Sequence, residues 1–295
     1  MRMARTLNII GCGRVGRALA RLWAHDGAFE IQDVLDQRRE QSLDSVAFIG
    51  QGRAVDAVVQ MRGAEAWMLT PPDDQIAACC TALAASGLLR AGDIVFHCSG
   101  ALPSRDLAPA AARGTSVASV HPLKSFADPA IAVQTFRGTH CAAEGGAAAL
   151  AVLRPAFERI GGIVSDIDPG FKTIYHAASV IVCNYLTALL ETGLRCYERS
   201  GFERETALRM IEPLVRETLD NVFKLGTVQA LTGPIARGDH AVVAHQVAAL
   251  GAWDPRIAEI YKQLGSIATE LARAQGKADA DVLAAIERLL AGGPK

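Results

Sequence analysis

The first 165 residues of the chain alternate between short apolar runs and helical patterns, and this alternation limits the fold more than any other feature. The apolar runs are rich in β-branched residues and occupy residues 7–10, 29–35, 66–69, 94–97, 116–120 and 163–165. The segments between them, which include residues 14–24, 73–85, 103–112 and 145–160, are rich in Ala and Leu. Strand–helix alternation of this kind predicts an α/β domain, with a parallel sheet covered by helices on both faces.

A turn at residues 166–170 ends the alternation, because the adjacent Pro169 and Gly170 interrupt regular structure. Beyond this turn, apolar residues recur at three- and four-residue steps, which is typical of helices. The predicted helices cover residues 171–200, 203–225, 241–250, 255–275 and 279–290. We therefore predict two domains, an α/β domain at residues 1–166 and an all-helical domain at residues 167–295.

The strongest chemical motif is the glycine pattern G-x-G-x-x-G, which directly follows the first apolar run and opens the first predicted helix. Gly11 allows a sharp turn between strand and helix, Gly13 lets a pyrophosphate approach the backbone, and Gly16 lets the helix pack closely. The phosphates would meet the free N–H groups at the helix N-terminus. We therefore predict dinucleotide binding by the six residues of the motif, Gly11, Cys12, Gly13, Arg14, Val15 and Gly16.

The residues after the second predicted strand point to two different cofactors. Asp36 lies 20 residues after Gly16, where an acidic side chain binds the ribose 2′-hydroxyl of NAD. Arg38 and Arg39 follow at once, and paired arginines suit the 2′-phosphate of NADP. The sequence therefore leaves the choice between NAD and NADP open. A third interpretation is structural, with Asp36 capping a loop and both arginines in water.

Three more candidate cofactor contacts follow later strands. Thr70 and Pro71 come after the third predicted strand, and Ser99 comes after the fourth. Ligands of open α/β sheets bind beyond the carboxyl ends of the strands, so we expect these residues to edge the same crevice. Ordinary turns at strand ends are an equally good explanation for any one of them.

Two further motifs place titratable groups near that crevice. His121 ends the fifth predicted strand and precedes Pro122, which favours an extended conformation that projects the imidazole from the crevice edge. Lys172 and His176 share one side of the helix after residue 170, and a polar row on a largely apolar helix is costly to bury. We therefore expect this row to face a cleft, with Asn184 one step round the helix. The alternatives are a structural His121 and a helix start exposed to water.

A Gly/Pro-rich loop at residues 231–239 provides the last candidates. Thr232 and Arg237 lie there among several other hydrogen-bonding groups, and both are candidate substrate contacts. Such a loop can hold a substrate carboxylate through Arg237, or it can simply cap the neighbouring helices. Both interpretations remain open.

Composition and missing motifs exclude several other classes of protein. Thirty basic and 31 acidic side chains give a net charge of −1, without the basic excess of a nucleic-acid binder. The most apolar stretch, residues 177–190, is shorter than a membrane-spanning helix. Seven scattered cysteines and the lack of an apolar leader indicate a reducing cytoplasm. Zinc-binding motifs are missing, so we expect no metal.

Three motifs together resemble one family. They lie at residues 121–126, 172–185 and 231–245 and include H-P-L-x-x-F, K-x-x-Y-H-A-A and L-T-G-P-I-A-R-G-D. Across nearly the whole chain they resemble the bacterial proteins that join a Rossmann-like domain to the domain DUF2520, a plan similar to the 6-phosphogluconate dehydrogenase-like group. The resemblance implies a helical domain that contacts substrate and forms a homodimer. One departure is that Asp36 and Gln37 precede Arg38, where related chains often have a Ser–Arg pair that favours NADP.

The resemblance also implies an NAD(P)-dependent oxidoreductase that transfers hydride between nicotinamide and a small carbonyl, imine or hydroxy-acid substrate. Partly by analogy, we expect Lys172 to be the general acid, with a pKa lowered by a protonated His176. His121 would position substrate or relay protons, Asn184 would hydrogen-bond the reacting oxygen, and Arg237 would hold a carboxylate. The alternative is a sensor that binds NAD(P) without redox turnover.

Overall fold

The computed structural model describes residues 4–292 and contains an eight-stranded sheet in its first half. The strands are β1 (Arg5–Ile10), β2 (Phe29–Leu35), β3 (Arg53–Val55), β4 (Ala66–Leu69), β5 (Ile94–His97), β6 (Ser116–Pro122), β7 (His140–Gly145) and β8 (Ile163–Asp166). Their order in the sheet is β3-β2-β1-β4-β5-β6-β7-β8. Neighbouring strands are parallel except for β6 and β7, which pair antiparallel. The predicted parallel sheet is confirmed, with this one antiparallel pair as an unanticipated feature.

Helices connect the strands and cover both faces of the sheet, as predicted. They are α1 (Arg14–Asp26), α2 (Arg39–Ile49), α3 (Asp73–Ala85), α4 (Ala108–Ala111), α5 (Pro129–Gln134) and α6 (Ala147–Arg159). Because alternate strand residues point to opposite faces, the buried apolar residues divide into two clusters. In one cluster, Trp23 of α1 packs edge-to-face against Phe29, Phe96 and Phe157.

Two strands, β3 and β7, and two helices, α2 and α5, of this unit were not predicted from the sequence. α5 has only six residues. β3 has only three residues, and β7, with the sequence His-Cys-Ala-Ala-Glu-Gly, lacks β-branched side chains. α2 buries the small polar Ser42 and Ser45 where an amphipathic helix usually buries large apolar residues. Short length and small side chains therefore hid these elements. The helix predicted at residues 103–112 is a 3-10 turn, Ser104–Leu107, followed by α4.

The chain divides into two compact units, and the division falls between Asn184 and Tyr185. The domain boundary predicted from the sequence lies earlier, between residues 166 and 167. The two positions differ because α7 (Lys172–Ser179) sends Lys172 to the carboxyl ends of β5 and β6, so that this helix belongs to the first unit. A π-helical turn, Val180–Asn184, then ends the first unit.

In its described residues the second unit consists of helices and their connections, as predicted. The helices are α8 (Tyr185–Arg199), α9 (Arg204–Ala230), α10 (Gly233–Arg237), α11 (His240–Trp253), α12 (Pro255–Gln275) and α13 (Ala280–Leu290). Two small apolar clusters form its core. α9 has a kink at Gly226, whose φ of 78° is not helical. The predicted all-helical second half is therefore confirmed.

One helical stretch, Pro169–Arg199, is long and apolar enough to cross a membrane by length and composition alone. Its most apolar 18-residue window has a mean hydropathy of 1.4, and none of that window is buried. The stretch is longer than residues 177–190, the segment that the sequence analysis considered too short. A single stretch of this kind is weak evidence for a membrane span, but it marks an apolar surface that the described residues leave exposed.

Candidate functional site

The glycine motif forms the turn between β1 and α1, and Gly11 occupies a position with no room for a side chain. Its φ of +78° lies in the left-handed region that glycine adopts readily. A Cβ at Gly11 would lie 2.3 Å from the backbone nitrogen of Pro71. The Gly11 amide donates to the Leu35 carbonyl at 2.8 Å, and Thr70 Oγ1 donates to the Gly11 carbonyl at 2.7 Å. The turn therefore joins the carboxyl ends of β1, β2 and β4.

The other two glycines of the motif have contrasting surroundings. A Cβ at Gly16 would lie 2.5 Å from Thr70 Oγ1, so close packing makes glycine necessary there. Gly13 is the exposed N-cap of α1, and a Cβ there would meet only the Thr70 carbonyl, at 3.9 Å. No side chain caps the first amides of α1 from this position. The N-terminal turn of the helix is therefore open to an anion, which the helix dipole favours.

A cavity of about 550 Å³ opens beside this turn, at the carboxyl ends of β1, β2 and β4. Cavities of about 300–1,000 Å³ suit small ligands and cofactors. The predicted cofactor residues that line it are Gly11, Cys12, Gly13, Asp36, Thr70 and Pro71. The predicted residues outside its walls are Arg14, Val15, Gly16, Arg38 and Ser99.

The cavity walls also include residues that the sequence analysis did not single out. Asp56, Ala57 and Val58 follow β3 directly, and they were missed because so short a strand gives no clear signal. Gln37 and Gln75 join the loop after β2 to α3, with Gln37 Nε2 donating to Gln75 Oε1 at 2.8 Å. A second carboxylate, that of Asp56, therefore lies at the same edge of the sheet as the predicted acid.

The charged residues after β2 are unequally placed with respect to the cavity. Asp36 lines it, and its Oδ1 accepts a hydrogen bond from the Gln37 amide at 2.8 Å. Arg38 is an exposed residue at the N-cap of α2. Arg39 forms an ion pair with Asp56, with 2.6 Å between Nη1 and Oδ2. A carboxylate therefore faces the cavity, whereas neither arginine lines it.

A second polar cluster lies beyond β5 and β6, where Lys172 of α7 is buried, with only 1% of its surface exposed. Its Nζ donates to Ser119 Oγ at 2.5 Å and to the Ser99 carbonyl at 3.1 Å. A lysine ammonium has three N–H donors, so two of them are used by the strand ends. Lys172, the first residue of the expected polar row, is therefore buried within the protein, whereas His176 of the same row is half-buried. That the row faces a cleft stays a prediction.

Burial lowers the pKa of Lys172, because the ammonium loses its hydration. The nearby Glu144 carboxylate, the Cys98 thiol and the Asp73 carboxylate partly offset this effect. The sequence analysis expected the same direction from a different cause, a protonated His176. In the structure the largest cause is burial of the ammonium.

His121, near the end of β6, forms the other part of this cluster. Its Nδ1 is hydrogen-bonded to the Tyr175 hydroxyl at 3.0 Å, and the His176 ring lies edge-to-face at 5.8 Å. Burial, together with the charges of Lys172 and His176, lowers the pKa of His121 to about 4. The imidazole is therefore neutral at pH 7. The sequence analysis did not assign a role to Tyr175, although its position three residues after Lys172 on one helix was an available signal.

Gly100 lets α7 approach the turn that follows β5. A Cβ at Gly100 would lie 2.5 Å from His176 Nδ1 and 2.9 Å from His121 Nε2, so the two imidazoles converge on this glycine. His176 Nδ1 is buried and has no hydrogen-bond partner among the described residues. Between residues 4 and 292, no group of three or more His, Cys, Asp or Glu side chains is placed to hold a metal ion.

Ser99 connects this cluster to the cavity. Its carbonyl accepts the hydrogen bond from Lys172, and its hydroxyl donates to Asp73 Oδ2 at 2.8 Å. Asp73 begins α3 immediately after Pro72, which lines the cavity. The Ser99 hydroxyl also accepts from two backbone amides. Ser99, which we predicted to contact cofactor, is therefore hydrogen-bonded within the protein. It links the Lys172 cluster to the residues beside the cavity.

Three predicted residues lie outside the cluster. Asn184 is exposed at the end of the π-helical turn, eight residues after His176. Thr232 and Arg237 belong to the second unit, at the N-cap and the last residue of α10. Arg237 is exposed, and Thr232 lines an apolar cavity of about 540 Å³ within that unit. The roles given to these residues remain predictions.

Two domain families match the chain. Residues 1–122 match the Rossmann-like domain, and residues 139–268 match a domain of unknown function, DUF2520. No curated protein matches the sequence.

Similar folds occur in several solved structures. A protein from Thermotoga maritima, 25% identical, has a TM-score of 0.72 over 92% of this chain and 99% of that one. A Bacteroides fragilis protein, assigned provisionally as an NADP oxidoreductase, is 18% identical with a TM-score of 0.74 over 91% and 99%. The imine reductase from Myxococcus stipitatus, in complex with NADP⁺, is 18% identical with a TM-score of 0.63 over 95% and 99%. With both domains matched in order along the chain, this is a Rossmann-like plus DUF2520 protein, the family that its sequence motifs resemble.

Proposed function

We propose that the protein is an NAD(P)-dependent oxidoreductase that transfers hydride between nicotinamide and a small carbonyl, imine or hydroxy-acid substrate. The observation that carries this proposal is a cavity of about 550 Å³ beside the open N-terminus of α1, at the carboxyl ends of a sheet whose strands β5 and β6 contact the Lys172–His121–Tyr175 cluster at the same ends. The NADP-bound imine reductase of similar fold supports the same class of reaction. The cysteine pattern supports a cytoplasmic location.

The Tyr175–His121 pair suits the proton transfer that this reaction needs. Reduction of a carbonyl or imine adds a hydride to carbon and a proton to oxygen or nitrogen, and a bound nicotinamide supplies the hydride. A neutral imidazole donates from one ring nitrogen and accepts at the other. The 3.0 Å hydrogen bond between His121 Nδ1 and the Tyr175 hydroxyl therefore holds an exchangeable proton beyond the end of β6.

Lys172 has a positioning role in this proposal, in place of direct acid catalysis. Its ammonium is buried, and two of its three N–H donors bond to the Ser119 hydroxyl and the Ser99 carbonyl, which hold the side chain at the strand ends. Burial is the main cause of the low pKa of His121, and the Lys172 charge lowers that pKa further. Asn184 and Arg237 remain our candidates for binding the reacting oxygen and a carboxylate.

Calorimetric titration of the whole protein with NAD⁺, NADP⁺, NADH and NADPH tests the proposal first. We expect at least one reduced dinucleotide to bind with a Kd below about 100 µM, or about −5.5 kcal/mol. Reduced cofactor should then be oxidised with at least one member of a panel of keto acids, aldehydes and cyclic imines. Failure of all four dinucleotides to bind at millimolar concentration would contradict the proposal.

The same panel separates the enzyme from its alternative, a sensor that binds NAD(P) without redox turnover. A sensor needs the cavity at α1 but has no use for a buried lysine or a Tyr–His proton pair in a second cluster. Tight binding of reduced dinucleotide with no oxidation by any compound of the panel would favour the sensor.

We propose further that two copies of the chain associate through the second unit. α8 and α9 carry exposed large apolar side chains, namely Tyr185, Leu189, Leu208, Leu214 and Phe223. Phe223 is 85% exposed. Exposed apolar side chains of this size on two neighbouring helices suit a surface that another chain covers, and a second copy offers the same helices for a symmetric contact.

Sedimentation equilibrium should give twice the mass of one chain. Phe223→Glu is expected to weaken the dimer at least about tenfold, because a charge would be buried in an apolar contact. Ile131→Glu is the matched control, since Ile131 is an exposed apolar residue, 59% accessible, on α5 of the first unit. A wild-type protein that is monomeric at high concentration would exclude the dimer.

A further inference from the structure

We propose that the cavity beside α1 selects NAD(H) over NADP(H), with Asp36 as the residue that determines the choice. This inference rests on the proposed function, because it concerns the dinucleotide that the oxidoreductase would use. It differs from the cofactor in the imine reductase of similar fold, which is in complex with NADP⁺. The preference depends on which charged groups around the cavity are available to a ligand.

Asp36 presents a carboxylate at the position where a dinucleotide ribose would lie. It follows the end of β2 and lines the cavity. Its Oδ1 accepts one hydrogen bond, from the Gln37 amide, and Oδ2 has no hydrogen-bond partner among the described residues. The Asp36 backbone amide donates to Ser42 Oγ at 2.9 Å, which fixes the loop that carries the carboxylate. Oδ2 can therefore accept a hydrogen bond from a ribose 2′-hydroxyl.

Each arginine that could bind a 2′-phosphate is either bonded within the protein or outside the cavity walls. Arg39 is paired with Asp56 at 2.6 Å. Arg17 lines the cavity, but its Nε donates to the Cys12 carbonyl and to Ser45 Oγ, and its Nη2 donates to the Gln41 carbonyl. Arg38 is exposed and lies outside the cavity walls.

Asp56 adds a second carboxylate to the same region, since it also lines the cavity. Arg39 neutralises it, so the pair contributes no net positive charge that a phosphate could use. A 2′-phosphate carries roughly −1.5 to −2 charges at neutral pH. Placed against Asp36, it would be repelled. Arg17, the cation that lines the cavity, forms no ion pair, but its hydrogen bonds to Cys12, Gln41 and Ser45 hold its guanidinium within the protein.

Calorimetric titration with NADH and NADPH, at two ionic strengths, is the direct test. We expect NADH to bind at least about tenfold more tightly than NADPH at low salt. Salt screens repulsion between exposed charges, so the ratio of the NADPH Kd to the NADH Kd should fall as salt is raised. A 2′-phosphate held by arginines would produce the opposite change, because salt would weaken that attraction.

Two variants test whether Asp36 determines the preference for NADH over NADPH. Asp36→Ser should raise the Kd of NADH at least about fivefold and lower that of NADPH, reducing the ratio by at least about tenfold. Asp44→Asn is the matched control, since it removes one negative charge from an exposed position on α2 outside the cavity, and it should leave the ratio unchanged. Melting curves check that each variant is folded.

Some results would contradict the preference for NAD(H) alone, and others would contradict the proposed oxidoreductase as well. Wild-type protein that binds NADPH as tightly as NADH, or more tightly, overturns this inference and leaves the proposed oxidoreductase intact. An Arg38→Ala variant whose NADPH affinity alone falls would assign the phosphate to Arg38 and also overturn it. Wild-type protein that binds neither dinucleotide would remove the proposed function itself, and this inference with it.

Discussion

Lys172→Met is expected to reduce turnover at least about 100-fold on any substrate that the panel identifies, because it should disturb the Tyr175–His121 proton transfer, which assists catalysis on that scale. The methionine preserves most of the side-chain volume but leaves the Ser119 hydroxyl and the Ser99 carbonyl without their shared donor. The ends of β5 and β6 then lose the group that bonds to both of them. Steady-state kinetics measure the loss, and Lys277→Met, which changes an exposed lysine, is the control.

A positioning role for Lys172 also predicts a change in the titration of His121. The Lys172 charge and burial both lower the pKa of His121, which is about 4 in the intact protein. Removing that charge should raise this pKa toward its ordinary value. If neutral His121 is the active form, activity of the variant should be lost at a higher pH on the acid side than that of the wild type. NMR titration of the imidazole protons provides the independent measurement, and unchanged turnover in a folded variant would exclude the role.

The sequence predicts the sheet and its first turn well because those signals are local. An apolar run, three glycines at fixed spacing and the start of a helix all lie within residues 7–24, and the turn they predict is present. The spacing of apolar residues likewise predicts the change from alternating strands and helices to helices alone. Counting 20 residues from Gly16 is enough to place Asp36 at the end of a strand.

The partners of the catalytic candidates could not be predicted in the same way. Lys172 bonds to residues 73 and 53 positions earlier in the chain, and no periodicity encodes such contacts. A helical wheel gives the side of a helix on which Lys172 lies, but it does not reveal whether a strand end or water meets it. Asp56 could not be predicted as a cavity residue for a related reason. Its position depends on a three-residue strand, β3, whose pairing with β2 is a tertiary interaction.

Alanine substitutions at Gly11 and Gly13 of the first turn should distinguish an effect on folding from an effect on cofactor binding. Gly11→Ala puts a Cβ 2.3 Å from the Pro71 backbone in a left-handed conformation, so the backbone of the turn must move. We expect a loss of at least about 3 kcal/mol in stability, which lowers the melting temperature by roughly 6–12 °C for a unit of this size. Dinucleotide binding should be lost with the turn.

Gly13→Ala makes the same chemical change two residues later. It should affect dinucleotide binding strongly and stability only slightly. Its Cβ would meet only the Thr70 carbonyl at 3.9 Å, and the backbone there has a φ of −71°, so the melting temperature should stay within about 2 °C of wild type. The added methyl group lies where the pyrophosphate must approach the backbone, and the Kd of the dinucleotide should rise at least about tenfold. Gly193→Ala, in an open position on α8, controls for the substitution itself. If Gly13→Ala binds dinucleotide as tightly as the wild type does, the phosphates do not lie against this turn, because a methyl group at the point of closest approach cannot be neutral.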